Sequence, residues 1–147
     1  MRVGIATDHN GVDQKANIIF YLGEQNIEVF DFSKDNNPTD DYPDFALRVA
    51  NAIKNNEIDL GILMCGTGIG MSIAANKVKG IRAAKVTTND EARLAREHNN
   101  ANVICLSYKE YPDKLKEMIE IFVNTPFSNE ERHIRRVNKI KDIENNG

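Results

Sequence analysis

The chain has 147 residues, with 19 Lys and Arg against 22 Asp and Glu, for a formal net charge of -3. This length suits one domain, 1–147, that buries about two thirds of its unfolded surface. The near balance of charge argues against general nucleic-acid affinity. No run approaches the ~18 apolar residues of a membrane span, and no signal-peptide pattern precedes the first strand. We therefore expect a cytoplasmic protein that binds neither nucleic acid nor a membrane.

The two cysteines, Cys65 and Cys105, have neither the spacing of a zinc site nor the pattern of a disulfide scaffold. We expect both thiols to be reduced. We predict no metal site.

Alternating apolar runs and helix-forming segments predict an α/β fold. Strands are predicted at 2–7, 27–32, 60–64, 81–86 and 102–106. Helices are predicted at 12–24, 44–55, from Gly70 onward, 90–98, 111–124 and 129–143. Tyr42 is assigned to the loop before the second helix, and 144–147 to a frayed tail. This order predicts a Rossmann-like three-layer sandwich, with a five-stranded parallel sheet, right-handed crossovers, helices on both faces and a C-terminal helix.

The most informative stretch, 65–70, joins the third strand to the helix that follows. It contains Cys65 and then Gly66, Gly68 and Gly70 at alternate positions. The glycine spacing matches neither the dinucleotide fingerprint nor the P-loop. Backbone amides in such a turn can approach an anion closely, and a thiol at a helix N-terminus has its thiolate favoured. Cys65 is therefore a candidate base or nucleophile; the alternative is a tight turn with a small buried cysteine. Cys105, inside an apolar strand, is expected only to pack.

Three other polar motifs each have two interpretations. Asp8 and His9 follow the first strand and are either site residues or a helix cap with an exposed histidine. His98 lies at a helix C-terminus, where a cation is favoured without any catalytic role. Arg132 and Arg136 are four residues apart on one helix face, a spacing that suits a phosphate but also an ordinary solvated face.

Taken together, these motifs resemble ribose-5-phosphate isomerase of the B type, in the family that also holds the galactose-6-phosphate isomerase subunits. The likeness spans nearly the whole chain. It rests on Asp8-His9, Asp41-Tyr42-Pro43, residues 61–70 with 72–77, Gly80-Ile81-Arg82-Ala83, Arg96-Glu97-His98-Asn99, Arg132-His133 and Arg136-Val137.

The resemblance implies an aldose-ketose isomerase, without metal or cofactor, that interconverts ribose 5-phosphate and ribulose 5-phosphate. It implies Cys65 as the base, His98 as the residue that assists ring opening, and Asp8 and Thr67 as hydrogen-bonding partners near the reacting carbons. The substrate-binding residues that it implies are Asp8, His9, Tyr42, Gly66, Thr67, Gly68, Ile69, Gly70, Asn99, Lys109, Arg132 and Arg136. The amides of 66–70 would stabilise the enediolate, and His9 with the two arginines would hold the phosphate.

The resemblance also implies a homodimer whose sites are shared between two subunits, and it allows a homotetramer formed as a dimer of dimers. His98, Asn99 and the arginines would come from the partner. Two departures bear on phosphate contact and substrate preference: Lys109 stands where members often carry arginine, and Asn10 replaces a small residue. Two alternatives stay open. One is an isomerase of a six-carbon sugar phosphate, allose or galactose 6-phosphate; the other is a non-catalytic sugar-phosphate-binding module in which Cys65 only packs.

Overall fold

The computed structural model describes residues 1–146, which form alternating strands and helices. The strands are β1 (Arg2–Thr7), β2 (Glu28–Asp31), β3 (Leu60–Cys65), β4 (Ala83–Lys85) and β5 (Val103–Ser107). The helices are α1 (Val12–Glu24), α2 (Tyr42–Lys54), α3 (Ile69–Ala75), α4 (Asn89–Asn99), α5 (Pro112–Asn124) and α6 (Glu131–Asn146), with a 3-10 turn at His9–Gly11. No helix within residues 1–146 combines the length and the apolar character needed to cross a bilayer.

The five strands form one parallel sheet in the order β2-β1-β3-β5-β4. Along the central strand, side chains alternate between the two faces, as pleating requires. Ile62 and Met64 pack with α1, α4 and α5, whereas Leu63 and Cys65 pack with α2 and α3. Both faces of the sheet are thus covered by helices, and the predicted Rossmann-like sandwich is confirmed.

The two edge strands are shorter than predicted. Residues 27–32 were expected as the second strand, but the Ile27 amide donates to the carbonyl of Leu22 and closes the turn after α1. At the fourth strand, the Ile81 amide donates to the carbonyl of Val78, which keeps it in the turn before β4. Apolar composition predicts a strand at these positions, but local turns use their amides.

Two other predictions are wrong. Tyr42 is not in the loop but begins α2, because Pro43 is favourable in the first turn of a helix, where its missing amide has no intrahelical partner to lose. Residues 144–146 are not a frayed tail, because α6 continues to Asn146. Gly147, the last residue of the predicted tail, lies outside the described residues. The carboxylate of Glu144 accepts hydrogen bonds from the Gly80 amide at 3.1 and 3.2 Å, which anchors this end of the helix.

Candidate active site

Cys65 lies at a point where the chain connections diverge. It is the last residue of β3, between β1 and β5. The connection from β1 leads to β2, at one end of the strand order. The connections after β3 lead to β4 and β5, at the other end. Ligands of open parallel sheets bind in the crevice at such a point, outside the ends of the strands. We call the edge where strands end the carboxyl edge and the edge where they begin the amino edge.

The turn after Cys65 encloses the thiol. The Gly68 amide donates to the sulfur of Cys65 at 3.2 Å, and Cys65 is only 5% exposed. Gly68 has φ +80°, and a Cβ there would lie 3.0 Å from the carbonyl carbon of Leu106. The position therefore needs glycine on two counts, conformation and space.

The same turn leaves backbone donors available beside the thiol. Thr67 Oγ1 accepts a hydrogen bond from the Ile69 amide at 3.1 Å, and Ser107 Oγ donates to the carbonyl of Gly66 at 2.7 Å. Within residues 1–146, the amides of Gly66 and Thr67 donate to no protein acceptor. Two free N–H groups beside a thiol are suited to an oxygen that develops negative charge.

Tyr42 covers the far end of this turn. A Cβ on Gly70 would lie 2.6 Å from the Tyr42 hydroxyl oxygen and would also clash with its ring. Gly70 is therefore needed for close approach of the Tyr42 ring. The tyrosine itself is 38% exposed. Because Tyr42 begins α2, its side chain lies beside the 65–70 turn.

Asp8 and His9 stand on the neighbouring strand end, because Thr7 of β1 pairs with Met64 of β3. Asp8 caps the short 3-10 turn by accepting a hydrogen bond from the Asn10 amide at 3.0 Å. His9 is not a free surface histidine. Its Nδ1 lies 2.6 Å from Oδ1 of Asp40, which also accepts from the His9 amide at 3.0 Å.

Asp40 is a site residue that the sequence did not reveal. Burial alone would raise the pKa of its carboxyl, but hydrogen bonds from Asn36, His9 and the Asn37 amide together lower that pKa to about 2. An ionised carboxylate only accepts, so the hydrogen-bond network assigns a proton to Nδ1 of His9 and directs Nε2 away from Asp40. Asn36 is held in turn by the buried amine of Lys15 at 2.9 Å.

Tyr108 is a second residue that sequence reasoning missed. It follows β5 as Asp8 follows β1, and its amide donates to the carbonyl of Cys65 at 3.2 Å. Burial raises the pKa of Tyr108, and the nearby Asp8 carboxylate raises it further. A polar residue directly after a parallel strand was the available indication. The next residue, Lys109, is exposed at the same edge.

His98 and Asn99 lie at the opposite edge. Since α4 runs back from the end of β4 and stops just before β5 begins, its last residues are at the amino edge. There the ring of His98 stacks on the ring of His133 from α6, with centroids 4.2 Å apart and planes 15° from parallel. His133 is buried, and burial together with His98 and Arg132 lowers its pKa.

Arg132 and Arg136 are exposed on α6, the helix that packs against α4. Arg132 forms an ion pair with Glu130 at 3.1 Å. The two arginines thus accompany His98 rather than Cys65. One copy of the chain gathers Asp8, His9, Tyr42, residues 65–70 and Lys109 at one edge, but it does not bring His98, Asn99, Arg132 and Arg136 to them.

Cys105 differs from Cys65 in its setting. It lies inside β5, is fully buried, and burial strongly raises its pKa. Neither cysteine forms a disulfide. Within residues 1–146, no group of three or more His, Cys, Asp or Glu side chains is placed to hold a metal ion.

Residues 3–140 match the profile of the ribose/galactose isomerase family. The chain belongs to this family. It is 43% identical, over 92% of its length and 90% of the relative's, to a probable ribose-5-phosphate isomerase B of Mycoplasma pneumoniae. It is 38% identical to ribose-5-phosphate isomerase B of Escherichia coli, over 97% of this chain and 96% of the relative.

Solved structures of similar proteins agree with this membership. Ribose-5-phosphate isomerase B of Clostridium thermocellum superposes with a TM-score of 0.94 at 44% identity, covering 99% of both chains. The Mycoplasma genitalium enzyme, solved with bound ribulose-5-phosphate, gives a TM-score of 0.93 at 42% identity, over 99% of this chain and 97% of that one. The family expected from the motifs is confirmed.

Proposed function

We propose that this protein is an aldose-ketose isomerase that interconverts ribose 5-phosphate and ribulose 5-phosphate, with residues 1–147 acting as one domain. The observation that carries the proposal is the arrangement at 65–70. A thiol at the switch point of the sheet accepts a hydrogen bond from Gly68 and lies beside the free amides of Gly66 and Thr67. Membership of the family and the ribulose-5-phosphate bound to a similar protein support the choice of substrate.

In the proposed mechanism, Cys65 moves one proton between two carbons. The thiolate removes the proton from C2 of the open-chain aldose, which forms an enediolate. The hydroxyl proton passes from O2 to O1, and the thiol then returns a proton to C1, which leaves the carbonyl at C2. A proton next to a carbonyl needs a base placed within hydrogen-bond reach. The negative charge that develops on oxygen is stabilised by the amides of the 66–70 turn, with Asp8 and Thr67 as further hydrogen-bonding partners.

The other predicted residues bind and prepare the substrate. His9 turns Nε2 away from Asp40 and, with Arg132 and Arg136, holds the phosphate. Planar guanidinium groups suit this task because each donates two parallel hydrogen bonds to phosphate oxygens. His98 assists opening of the furanose ring. The shared site also has substrate contacts on both sides. Tyr42 and Lys109 contact the substrate from the subunit that carries Cys65, and Asn99 contacts it from the other subunit.

The separation of these groups leads to a homodimer with shared sites. Cys65 lies at the carboxyl edge, whereas His98 and α6 lie at the amino edge, so a partner subunit would supply the second set. Exposed apolar side chains on α3 and α6 support self-association. These side chains are 41% to 72% exposed and belong to Ile69, Ile73, Ile140 and Ile143. A dimer of dimers and a cytoplasmic location remain part of the proposal.

The test is turnover by the purified protein with a chelator present. We expect ribose 5-phosphate to be turned over with a higher kcat/KM than allose 6-phosphate; the reverse order would favour the six-carbon alternative. We also expect Cys65→Ser to lower kcat about a hundredfold or more, because a serine hydroxyl is far less acidic than a thiol. Cys105→Ala is the matched control, and it should keep kcat within a few fold of wild type.

Two outcomes would count against the proposal. If Cys65→Ser keeps more than about a tenth of wild-type kcat, Cys65 is not the base, since losing a general base costs about a hundredfold. If no sugar phosphate is turned over, the chain is a binding module in which Cys65 only packs.

A further inference from the structure

A cavity of about 500 Å³ opens at the amino edge of the sheet, away from Cys65. It lies between the first residues of β3 and β5 and the segment that follows α5. Its apolar wall contains Leu60, Val123 and Pro126, and its polar side contains Arg82 and Arg96. None of these residues has a role in the proposed isomerisation. The cavity is within the range of small-molecule sites, about 300–1,000 Å³.

The two arginines use only part of their hydrogen-bonding capacity on the protein. Arg82 donates from Nε to the carbonyl of Asn100 at 2.9 Å. Arg96 donates from Nε to the carbonyl of Thr125 at 3.0 Å. Its Nη1 donates to Asn100 Oδ1 at 3.1 Å and to the carbonyl of Ala101. Within residues 1–146, both Nη groups of Arg82 and Nη2 of Arg96 have no protein acceptor. The hydrogen bonds that hold the end of α4 therefore account for some of these N–H groups, and the remaining N–H groups are free to bind a ligand.

The charge of the pair is also not balanced by a direct ion pair. The arginine ion pairs within residues 1–146 do not include Arg82 or Arg96. Burial lowers the pKa of both guanidinium groups, and the positive charge of Arg82 lowers that of Arg96 further. Two like charges that are partly removed from water are costly unless an anion joins them.

The acidic groups nearby are engaged elsewhere. Asp59 also lines the cavity, but its carboxylate accepts from the Arg2 amide at 2.8 Å and from the Arg2 guanidinium at 3.4 Å. Glu144 favours the charged form of Arg82 from a distance while it accepts from the Gly80 amide. The cavity thus keeps a positive side formed by Arg82 and Arg96.

We propose that this cavity is a second phosphate site, in which Arg82 and Arg96 together bind the phosphate group of a small metabolite, free or as a monoester. Phosphate presents several oxygens and can accept paired N–H donors from two guanidinium groups at once. The apolar wall would contact the carbon skeleton of an ester. The site is distinct from the proposed substrate site, which uses His9, Arg132 and Arg136.

The experiment uses the full chain carrying Arg132→Ala and Arg136→Ala, which removes the proposed substrate-phosphate contacts. Inorganic phosphate is titrated while NMR follows the side-chain Nε–H signals of Arg82 and Arg96. We expect saturable shifts of both signals. A parallel titration with glycerol 3-phosphate identifies an ester site if it binds more tightly and a free-phosphate site if it does not. The readout is binding, so failure of the isomerase proposal would leave it unchanged.

A matched pair of substitutions in the same background tests the assignment. Arg82→Gln should weaken phosphate binding about tenfold or more, as expected for loss of charge-assisted hydrogen bonds. Arg93→Gln makes the same change of charge at an exposed residue paired with Glu97, and it should leave the affinity unchanged. The proposal is overturned if the Arg82 and Arg96 signals do not move, or if the two substitutions have equal effects. The first criterion needs no substitution in the cavity and so does not depend on the folding of Arg82→Gln.

Discussion

The two edges of the sheet carry different chemistry. The carboxyl edge has a nearly buried thiol, a glycine turn with free amides and a histidine held by Asp40. The amino edge has stacked His98 and His133, exposed arginines on α6 and the half-buried pair Arg82 and Arg96. The thiol and its free backbone donors therefore lie at one edge, and the arginines of α4 and α6 lie at the other.

Parallel topology is the cause of this separation. A side chain at the end of a strand and one at the end of the following helix lie on opposite edges, because the helix runs back along the sheet. A strand of six residues spans roughly 20 Å at about 3.3 Å per residue. That distance is far beyond hydrogen-bond reach. A site that needs Cys65 and His98 together therefore needs a second copy of the chain.

Mixing two inactive variants gives the sharpest test of this comparison. Subunits with Cys65→Ser and subunits with His98→Asn are unfolded together and refolded. If the site is shared, a mixed dimer has one site with both substitutions and one intact site. Random pairing makes about half the dimers mixed, so activity should recover to roughly a quarter of wild type.

The matched control mixes Cys65→Ser with Cys65→Ala subunits, which cannot build an intact site in any pairing. Recovery in the control would point to contamination by wild type. If the Cys65→Ser and His98→Asn mixture stays as inactive as its parents, His98 does not serve the partner's Cys65.

His98→Asn should separate ring opening from proton transfer. Ribulose 5-phosphate cannot close into a furanose as ribose 5-phosphate does, so it reaches Cys65 without the ring step. We expect net turnover of ribose 5-phosphate to fall about a hundredfold, the usual cost of losing an acid-base group. Exchange of the C1 proton of ribulose 5-phosphate with deuterated solvent should fall much less. Equal losses would mean that His98 positions the substrate, and no loss in either would leave it a helix-end residue.

Arg136→Ala should raise KM for ribose 5-phosphate roughly tenfold or more, because charge-assisted hydrogen bonds to the phosphate are lost. Inhibition by inorganic phosphate should weaken in parallel. Arg135→Ala removes the same charge from the adjacent position on the exposed part of α6, and it is expected to leave both quantities near wild type. If both variants behave alike, α6 acts only through its general positive charge.

The fold and half of the candidate site could be predicted because they depend on local pattern. An apolar run followed by glycines and helix formers places Cys65 at a strand end in any parallel sheet. The pairing of His9 with Asp40 could not be predicted, because Asp40 lies 31 residues further along the chain, in the loop between β2 and α2, which has no periodicity. Tyr108 was missed although it follows a strand, since a single tyrosine carries no motif.

The separation of the two edges was predictable in principle from the order of strands and helices. The contact between α4 and α6 was not predictable, because nothing in the sequence near His98 indicates that His133 stacks on it. The C-terminal tail was misjudged for a similar reason. A polar ending predicts fraying, but the contact of Glu144 with Gly80 comes from a segment 64 residues away.

The smallest expected effect concerns the stability of the amino edge. Burial, with His98 and Arg132 nearby, lowers the pKa of His133 below its usual value of 6.5 in the folded chain. On acidification below about 6.5, the unfolded chain takes up a proton that folded His133 resists, so this residue makes stability fall as pH decreases. One such group changes the unfolding equilibrium by at most about tenfold per pH unit.

His133→Phe keeps a ring for the stack but cannot titrate. Urea unfolding from about pH 8 to pH 5 should therefore show a shallower loss of stability in His133→Phe than in wild type, with the difference between them growing only below about pH 6.5. The Asp40 carboxyl, with a pKa of about 2, titrates below this range and does not obscure the comparison. Parallel curves for the two proteins would show that His133 takes up its proton equally in the folded and unfolded chains, and the stack would then be indifferent to charge.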